Sequence, residues 1–265
     1  MSEGKSYKFT IITVCLNIAS TIRRTCESIV KQTFQNFQWI VVDGASTDGT
    51  LDILKEYSNR IDILISEPDN GIYNAMNKGI KLANGEYVNF MNGGDEFYNN
   101  EVLENVFHKG LDFDIVYGDS CHIYKNENQI ITTTPEITAY DFYYYYRLTH
   151  ASCFIKTSVQ QQYMFNEKMI IAADREFFSK VFQIGCSFNK TDIIISKFHR
   201  DGISCLNNDL KNKEDECIKH KYFKSMYYKE HSPKLYHLYE FLSNSIKYPR
   251  YFLGWVKRLI VKQKA

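Results

Sequence analysis

Four polar side chains lie directly after apolar stretches of the sequence: Asn17, Asp43, Asp69 and Asp95. Each stretch is predicted to be a strand, so each side chain marks the carboxyl end of a strand. An aspartate in such a place can accept a hydrogen bond from an imide or a ribose, or can bind Mg²⁺ or Mn²⁺, which prefer oxygen ligands. Asp and Asn are also common turn and cap residues, but four of them at one sheet edge favour a binding site.

The elements that must position these side chains alternate along the first part of the chain. Strands are predicted in the segments 8–17, 39–42, 61–71 and 86–97. Helices are predicted at 19–34, 50–59 and 72–84. Ser20 or Thr21 is a candidate cap of the first helix, and Gly85 is expected to close the third. This alternation predicts an α/β fold with a mainly parallel, Rossmann-like central sheet flanked by helices, whose ligands bind beyond the carboxyl ends of the strands.

The pattern changes after about residue 105. Strands or strand pairs are predicted at 113–135, 150–159 and 186–204, an aromatic helix or strand at 139–148, and a helix at 169–185 that starts near Ala173. A smaller antiparallel part is therefore expected to follow the parallel one. From about residue 206 the spacing is helical, so we predict two halves of one domain, 1–105 and 106–205, and a helical C-terminal extension, 206–265.

Residues 93–97 spell GGDEF, the signature of diguanylate cyclases, which make a cyclic dinucleotide. In those enzymes the letters lie on a hairpin between two antiparallel strands. Here they end the predicted strand that closes three βα units, and nothing before them resembles a cyclase nucleotide site. The five-letter match is therefore a weak signal, and the broader resemblance described next is preferred.

Three longer stretches resemble family 2 glycosyltransferases with a GT-A fold, of the bacterial surface-polysaccharide type. Residues 10–50 (TIITVCLNIASTIRRTCESIVKQTFQNFQWIVVDGASTDGT) are similar to the opening block of that family, 66–97 (SEPDNGIYNAMNKGIKLANGEYVNFMNGGDEF) to its second block, and 169–178 (MIIAADREFF) to its later acidic motif. The likeness covers about residues 8–205. It implies a nucleotide-sugar-binding half followed by an acceptor and catalytic half, and transfer of a hexose or N-acetylhexosamine, with a UDP-sugar as the favoured donor.

The resemblance also implies which residues contact the donor. The family carboxylate at the position of Asp43 contacts the base, and Asp69 matches another acid on the uridine side. Lys78, on the helix that follows, is expected to meet phosphate. The other predicted nucleotide-sugar contacts are Thr13, Val14, Asn17, Asn92, Gly93 and Gly94.

Asp95 is the predicted ligand of a Mn²⁺ or Mg²⁺ ion that bridges both phosphates of the donor. The acidic cluster of the family is thinned here, because Asn92 and Gly94 stand where other members often have Asp. The metal is therefore expected to bind weakly or to recruit another ligand. His199 is the candidate, although a lone histidine near a strand end is more often structural.

Asp174 is the predicted general base of an inverting transfer, in which a carboxylate removes the acceptor proton. The family has an acid with this role at the matching position; without the resemblance, a helix N-terminal acid favoured by the dipole is the simpler explanation. His150 is expected near the acceptor, as in family members. The run YYYY at 143–146 is either an acceptor-side stacking surface or a packed aromatic cluster.

Composition bounds the partners and the location. A net charge of +1 argues against a nucleic-acid binder, and seven cysteines without a CxxC pair indicate free thiols in a reducing cytosol. No signal peptide and no membrane-spanning run are expected. Residues 241–265 carry six Lys or Arg among aromatic and aliphatic residues, with no Asp or Glu; they suit an anionic membrane surface or a helix packed on the domain.

These features predict a cytoplasmic glycosyltransferase, peripheral on the inner face of the cell membrane, that acts on a lipid-linked glycan. Biosynthesis of O-antigen lipopolysaccharide, capsule or exopolysaccharide is the expected setting. A homodimer is left open. The alternative from another class is a sugar-nucleotide-binding module without turnover, because the acidic cluster is thinned.

Overall fold

The computed structural model describes residues 6–124, 128–199 and 208–232, together with Leu242. The chain divides into two compact units, residues 1–215 and 216–265. The boundary that the sequence predicts at residue 206 lies outside the described residues. No helix within the described part is both long and apolar enough to cross a membrane.

Four parallel strands form the first half of the sheet. They are β1 (Tyr7–Cys15), β2 (Phe37–Asp43), β3 (Ile63–Ser66) and β4 (Gly85–Phe90), arranged in the order β3-β2-β1-β4. All seven residues of β2 and the last seven of β1 are buried. Strands covered on both faces require such continuous apolar runs, so the parallel half of the sheet is confirmed as the sequence predicts it.

Helices connect these strands, as crossovers between parallel strands require. They are α1 (Ile22–Val30), α2 (Thr50–Lys55) and α3 (Ile72–Leu82). The expectations about their ends have different outcomes. Thr21 is the N-cap residue of α1, one of the two predicted candidates, although its side chain makes no capping hydrogen bond. Gly85 does not close α3; it begins β4, where an added Cβ would lie 2.5 Å from the carbonyl carbon of Phe9.

The second half of the sheet is more mixed. The strands are β5 (Glu96–Phe97), β6 (Ile115–Ile123), β7 (Gln129–Thr132), β8 (Cys153–Lys156) and β9 (Phe188–His199). The order continues β4-β8-β6-β9-β5, with β7 beside β6. β8 runs antiparallel to both of its neighbours, and β9 runs parallel to β6. The smaller antiparallel part is thus confirmed, and the segment predicted as a strand pair or a long strand is one strand of 12 residues.

Two segments predicted as single strands divide differently. The predicted strand 86–97 ends at Phe90, and its last two residues form the separate strand β5, which pairs with β9. Within the predicted strand 150–159, a short 3-10 turn precedes β8 and a helix follows it. The remaining helices of the first unit are α4 (Val102–Lys109), α5 (Ala139–Tyr144), α6 (Thr157–Gln162) and α7 (Ala173–Gln183).

Two further helices are described after β9, within residues 208–232. They are α8 (Asn208–Tyr222) and α9 (Lys224–His231), consistent with the helical spacing of the sequence. Residues 208–215 of α8 belong to the first unit. The basic and aromatic residues 241–265 lie outside the described part of the chain, Leu242 excepted.

The cysteines of the described residues carry no disulfide. Cys15, Cys26, Cys121 and Cys153 are buried free thiols, and Cys217 is exposed. Burial raises the pKa of Cys26 to about 12 and holds this thiol in its neutral form. The buried thiols are packing residues. Cys205 lies outside the described residues.

Candidate active site

Asp43 ends β2 with a fully buried side chain. Its Oδ2 atom accepts hydrogen bonds from the Ser66 hydroxyl (2.7 Å) and from the Ser46 backbone N–H (3.0 Å). Ser66 is the last residue of β3 and pairs directly with Asp43 in the sheet. The Cys15 thiol lies 3.7 Å from Oδ1, and burial together with the Asp43 charge raises the pKa of that thiol. The carboxylate is therefore held in one orientation by neutral donors.

Asp69 reaches the same edge through the loop after β3. A Cβ atom on Gly44 would lie 2.6 Å from Asp69 Oδ2, so a larger residue at position 44 would displace the Asp69 carboxylate from its present place. Asp69 Oδ1 accepts from the Gly71 N–H at 2.9 Å. The Lys78 ammonium group is bound within the same loop, to Glu67 Oε1 at 2.7 Å and to the Pro68 carbonyl at 3.0 Å. Two of the three ammonium N–H groups are therefore used within the loop, and the third could still meet a phosphate.

Asn17 and the loop after β2 are bonded to each other. The Asn17 backbone N–H donates to the Ser46 hydroxyl (2.8 Å), and its side-chain Oδ1 accepts from the Thr47 N–H (2.9 Å). Asn17 has a positive φ of 50°, which asparagine tolerates better than most residues. Asn17 thus lies where the sequence places it, at the strand-end edge beside Asp43.

Thr13 and Val14 lie inside β1 and are buried. The Thr13 hydroxyl accepts a hydrogen bond from the Trp39 indole at 3.1 Å, and the Val14 carbonyl accepts from the Gly93 N–H at 3.0 Å. The Thr13 hydroxyl is therefore bound within the core, and the Val14 carbonyl is bound to the loop after β4. Both side chains are buried in the sheet, so the structure gives neither of them a direct contact to a nucleotide.

Asp48 is a further carboxylate at this edge, just before the helix predicted at 50–59, and the sequence patterns do not single it out. Its side chain accepts from the Thr50 hydroxyl at 2.6 Å and from the Ala19 N–H at 2.9 Å. These hydrogen bonds lower the pKa of Asp48. Asp48 therefore joins the loops after β1 and β2. Its only signal in the sequence is its place in the polar, glycine-containing segment 44–49.

The segment 91–95 continues along β1 and is held by α1. A Cβ on Gly93 would lie 2.1 Å from Ile18 Cδ1, and Gly94 has a φ of +104°. The Thr25 hydroxyl accepts from the Gly94 N–H (2.9 Å) and donates to the Asp95 carbonyl (2.7 Å). Both glycines are thus required by geometry, and they place Asp95 at the start of β5.

Asn92 has a buried side-chain oxygen, Oδ1, with no hydrogen-bond partner among the described residues. A buried polar atom without a partner is uncommon in a folded protein. It is consistent with a polar ligand group at this loop.

His199 lies near this loop because β5 pairs with the end of β9. Its Nε2 atom lies 2.9 Å from Glu96 Oε1. Burial alone would raise the pKa of Glu96, but the hydrogen bond from His199 and the charge of Lys197 outweigh it and lower the pKa. Within the described residues, no group of three or more His, Cys, Asp or Glu side chains is arranged to hold a metal ion.

Asp174 lies in the first turn of α7, as the sequence predicts. The Tyr146 hydroxyl is 3.4 Å from Asp174 Oδ2, and the Tyr73 hydroxyl, which donates to the Ile171 carbonyl at 2.5 Å, is 3.3 Å from Oδ1. The two distances from these hydroxyls to the Asp174 carboxylate exceed the usual O–H···O range of about 2.5–3.0 Å. Burial, and then the Asp174 charge, raises the pKa of both tyrosines well above the usual value. Asp174 therefore has two neutral, weakly bound hydroxyl neighbours.

His150 lies in an aromatic environment. Its ring centre is 5.1 Å from that of Phe90 and 6.3 Å from that of Phe165. The buried Nε2 atom has no hydrogen-bond partner among the described residues. Burial lowers the pKa of His150 and outweighs the opposing charge of Asp174. The imidazole is thus neutral, with an unused polar atom within the electrostatic reach of Asp174.

The four tyrosines at 143–146, for which the sequence leaves two explanations open, do not share one environment. Tyr143 is buried, Tyr144 and Tyr145 are exposed, and Tyr146 contacts Asp174. Tyr73 and Tyr146 were not singled out as site residues from the sequence. The only signal for Tyr146 is its place in the run, and the signal for Tyr73 is its place four residues after Asp69.

The segment before α7 is joined to α3 by side-chain amides. Asn77 donates from Nδ2 to the Phe165 carbonyl (2.9 Å) and to Glu167 Oε1 (2.8 Å), and accepts from the Phe165 N–H (3.0 Å). Asn74 donates to Glu167 Oε2 at 2.9 Å. These hydrogen bonds lower the pKa of Glu167. The helix after Asp69 and the segment leading to Asp174 therefore form one connected body.

The geometry places the strand-end edge and Asp174, the candidate base, on one fold. β2, β1 and β4 are adjacent and parallel, so Asp43 and the Asn92–Asp95 loop follow neighbouring strand ends. Tyr73, at the start of α3, connects that edge to Asp174.

A family model described as Glycosyl transferase family 2 matches residues 10–171, which is more than half of the chain. The chain therefore belongs to this family. Its sheet is that of GT-A glycosyltransferases, as the structural comparisons show.

Named relatives agree with this class. Over 117 residues the chain is 36% identical to a PGL/p-HBAD biosynthesis glycosyltransferase of Mycobacterium bovis, a match that covers 42% of this chain and 46% of that protein. The chain thus spans about half the length of this curated relative.

Two solved structures share the fold. S. aureus TarS in complex with UDP is 22% identical, with a TM-score of 0.63, over 82% of this chain and 70% of that chain. The mannosyltransferase PcManGT of Pyrobaculum calidifontis, in complex with GDP-Man and Mn²⁺, is 16% identical, with a TM-score of 0.56, over 84% of this chain and 63% of that chain.

Proposed function

We propose that the protein is an inverting glycosyltransferase that moves a hexose or N-acetylhexosamine from a UDP-sugar to a hydroxyl group of a glycan. The observation that carries this proposal is Asp174, whose carboxylate has two neutral tyrosine hydroxyls at 3.3 and 3.4 Å. The Asp174 charge also acts on His150, whose buried Nε2 atom has no hydrogen-bond partner among the described residues. Inverting transfer needs a carboxylate that removes the proton of the attacking hydroxyl. Asp174 is that base, and His150 binds a hydroxyl of a bound sugar.

The donor lies along the strand-end edge. Asp43 accepts a hydrogen bond from the base, and Asp69 and Asn17 complete the nucleoside side. UDP in the TarS structure supports a uridine nucleotide, and the fixed orientation of the Asp43 carboxylate suits recognition of a base edge. The diphosphate lies over the loop of Asn92, Gly93 and Gly94.

Asp95 and His199 are the metal-side residues of the proposal. Metal-bound histidines usually donate their other ring N–H to a carboxylate, and Glu96 holds His199 Nε2 in that way, which leaves Nδ1 for a metal. Two side chains together with phosphate oxygens suffice for Mg²⁺ or Mn²⁺, since such ions are often held by one or two carboxylates and the substrate phosphates. Bound there, the ion would neutralise the diphosphate that leaves the sugar.

The acceptor and its location extend the proposal. The acceptor is a lipid-linked glycan of a bacterial surface polysaccharide, and residues 241–265 hold the protein at the cytoplasmic membrane face. The composition of that segment supports this part of the proposal.

The test is Asp174→Asn in a panel of UDP-, GDP- and dTDP-sugars, with product formation and UDP affinity measured in parallel. Asn is isosteric but cannot take the proton, so transfer should fall by about 10²- to 10⁴-fold while UDP affinity stays unchanged. Asp52→Asn is the matched control, because Asp52 is also an acid in the first turn of a helix. Wild-type rates in Asp174→Asn would refute the assignment of the base.

A sugar-nucleotide-binding module without turnover is the second candidate. The thinned acidic cluster, with Asn92 and Gly94 where family members often have Asp, favours it. Such a module would bind a UDP-sugar but form no product with any acceptor, whereas the proposed enzyme forms product and releases UDP.

A further inference from the structure

Glu214 of α8 binds the backbone just before α7. Its Oε1 atom accepts from the Ile170 N–H at 2.7 Å, and its Oε2 atom accepts from the N–H groups of Ile171 (3.0 Å) and Ala172 (2.8 Å). Ala172 is the N-cap residue of α7 and has no side chain that could cap the helix. A carboxylate near a helix N-terminus satisfies free N–H groups and complements the dipole. Glu214 therefore fixes the backbone that leads into α7, because it binds the N-cap residue and the two residues before it.

Asp215, the next residue, binds the other side of the same region. Its Oδ2 atom lies 2.7 Å from Arg175 Nη1, and both side chains are largely buried. Arg175 Nη2 donates to the carbonyls of Phe142 (2.9 Å) and Tyr143 (3.3 Å), near the end of α5. The guanidinium carbon lies 5.3 Å from the ring centre of Tyr146. Asp215 is thus connected, through Arg175, to the segment that carries Tyr146.

The two connections meet at Asp174. On one side, Glu214 holds the Ile171 backbone, whose carbonyl accepts from Tyr73, and the Tyr73 hydroxyl lies 3.3 Å from Asp174 Oδ1. On the other side, Arg175 holds the turn before Tyr146, whose hydroxyl lies 3.4 Å from Asp174 Oδ2. Each carboxylate oxygen therefore has a tyrosine neighbour whose position depends on one of the two adjacent acids.

We propose that Glu214 and Asp215 are positioning residues that hold Asp174 and its two tyrosines in the geometry required for transfer. The inference rests on the proposed function of Asp174. Neither acid is among the hydrogen-bond partners of the Asp174 carboxylate, so both act through the backbone of residues 170–172 and through Arg175.

The first test is the kinetic behaviour of Glu214→Gln in the full-length protein. Gln keeps the size of the side chain but turns an N–H donor toward backbone N–H groups, so one connection weakens. We expect kcat to fall by about 10- to 100-fold, since small displacements of a reacting group cost that much, while the donor KM and the melting temperature change little. Glu216→Gln is the matched control, because Glu216 lies on the same helix and pairs with Lys219 instead.

A double variant separates positioning from general stability. If Glu214 acts through Asp174, then adding Glu214→Gln to Asp174→Asn should cause little further loss of kcat, because the two changes remove one function. A full multiplicative loss in the double variant would overturn the inference, and so would an unchanged kcat in Glu214→Gln alone.

Hydrogen exchange gives a measurement that does not depend on activity. The amides of Ile170, Ile171 and Ala172 should exchange faster in Glu214→Gln than in the wild type or in Glu216→Gln. Unchanged exchange would overturn the positioning role. A wild-type protein that binds UDP but transfers no sugar would instead refute the proposed function, whatever the exchange rates show.

Discussion

His150 joins two properties in one side chain, a buried nitrogen without a partner among the described residues and a lowered pKa. A neutral imidazole can both donate and accept a hydrogen bond, which suits a sugar hydroxyl. Protonation would place a cation in an aromatic pocket. The folded state therefore resists binding a proton that the unfolded chain accepts readily.

This difference predicts a pH dependence of stability. The unfolded His150 titrates near its ordinary pKa of about 6.5, and the folded one titrates lower. Below about pH 6.5 the unfolded state binds more protons at this site, so the free energy of unfolding falls as the pH falls. His150→Gln should remove this contribution, so the wild type should lose more stability than the variant between pH 7.5 and pH 5.

Urea unfolding at the two pH values measures the effect. His108→Gln is the control, because His108 is exposed on α4 and pairs only loosely with Glu104, at 4.0 Å. Equal losses of stability in the wild type and in His150→Gln would contradict the prediction.

At the scale of residues, the sequence predicts strand-end polar groups better than it predicts how they are used. The positions of Asp43 and Asn17 at strand ends follow from the periodicity of the apolar residues and from the turn residues alone. The commitment of the Thr13 hydroxyl to Trp39 depends on a neighbouring strand and has no local signal. Gly85 was misread because glycine marks both a helix end and a close backbone approach, and the second applies here.

At the scale of elements, α5, α7 and the start of α8 are joined by one buried ion pair. Arg175 and Asp215 are largely withdrawn from water, and removing one partner of a buried pair leaves an uncompensated charge. Asp215→Asn should therefore lower the free energy of unfolding by about 3 kcal/mol. Urea titration of the full chain measures this change.

The matched control is an exposed pair, Lys55 with Asp52. Surface pairs contribute about 0–1 kcal/mol, so Asp52→Asn should change stability by less than that. If Asp215→Asn proved as mild as Asp52→Asn, the buried pair would not hold these elements together.

The start of α7 shows what a local pattern can and cannot predict about an element. Apolar spacing places the helix start near Ala173, and the structure agrees. The residue that fixes the backbone just before the helix, Glu214, is about forty positions away. Sequence patterns detect helix-start signals only close to the helix itself, so the motif around Asp174 carries no sign of this contact.

At the scale of the whole molecule, the pairing of β5 with β9 brings the Asp95 loop and His199 together. The two segments are about a hundred residues apart, and β5 has only two residues. A strand this short carries no periodic signal. The sequence could therefore name His199 as a candidate ligand, but not the Glu96 partner that orients it.

This arrangement predicts a metal-specific effect of His199→Ala. UDP affinity measured with Mn²⁺ should fall by about 10-fold or more, the usual cost of disturbing a metal site, whereas affinity measured in a chelator should stay the same. Calorimetry under both conditions provides the comparison, with His108→Ala as the control. An equal loss of affinity with and without metal would mean that His199 supports the loop and not an ion.

The amide contacts of Asn74 and Asn77 with Glu167 and the Phe165 backbone have a further consequence. They join α3, beside the proposed donor edge, to the segment that leads to Asp174, the proposed base. In the proposed enzyme these contacts hold the pocket together before the acceptor binds. Formation of the pocket therefore does not select a sugar hydroxyl group over a water molecule. Protection of the activated sugar from wasteful hydrolysis must then come from the acceptor, which has to fill the space that water would otherwise occupy.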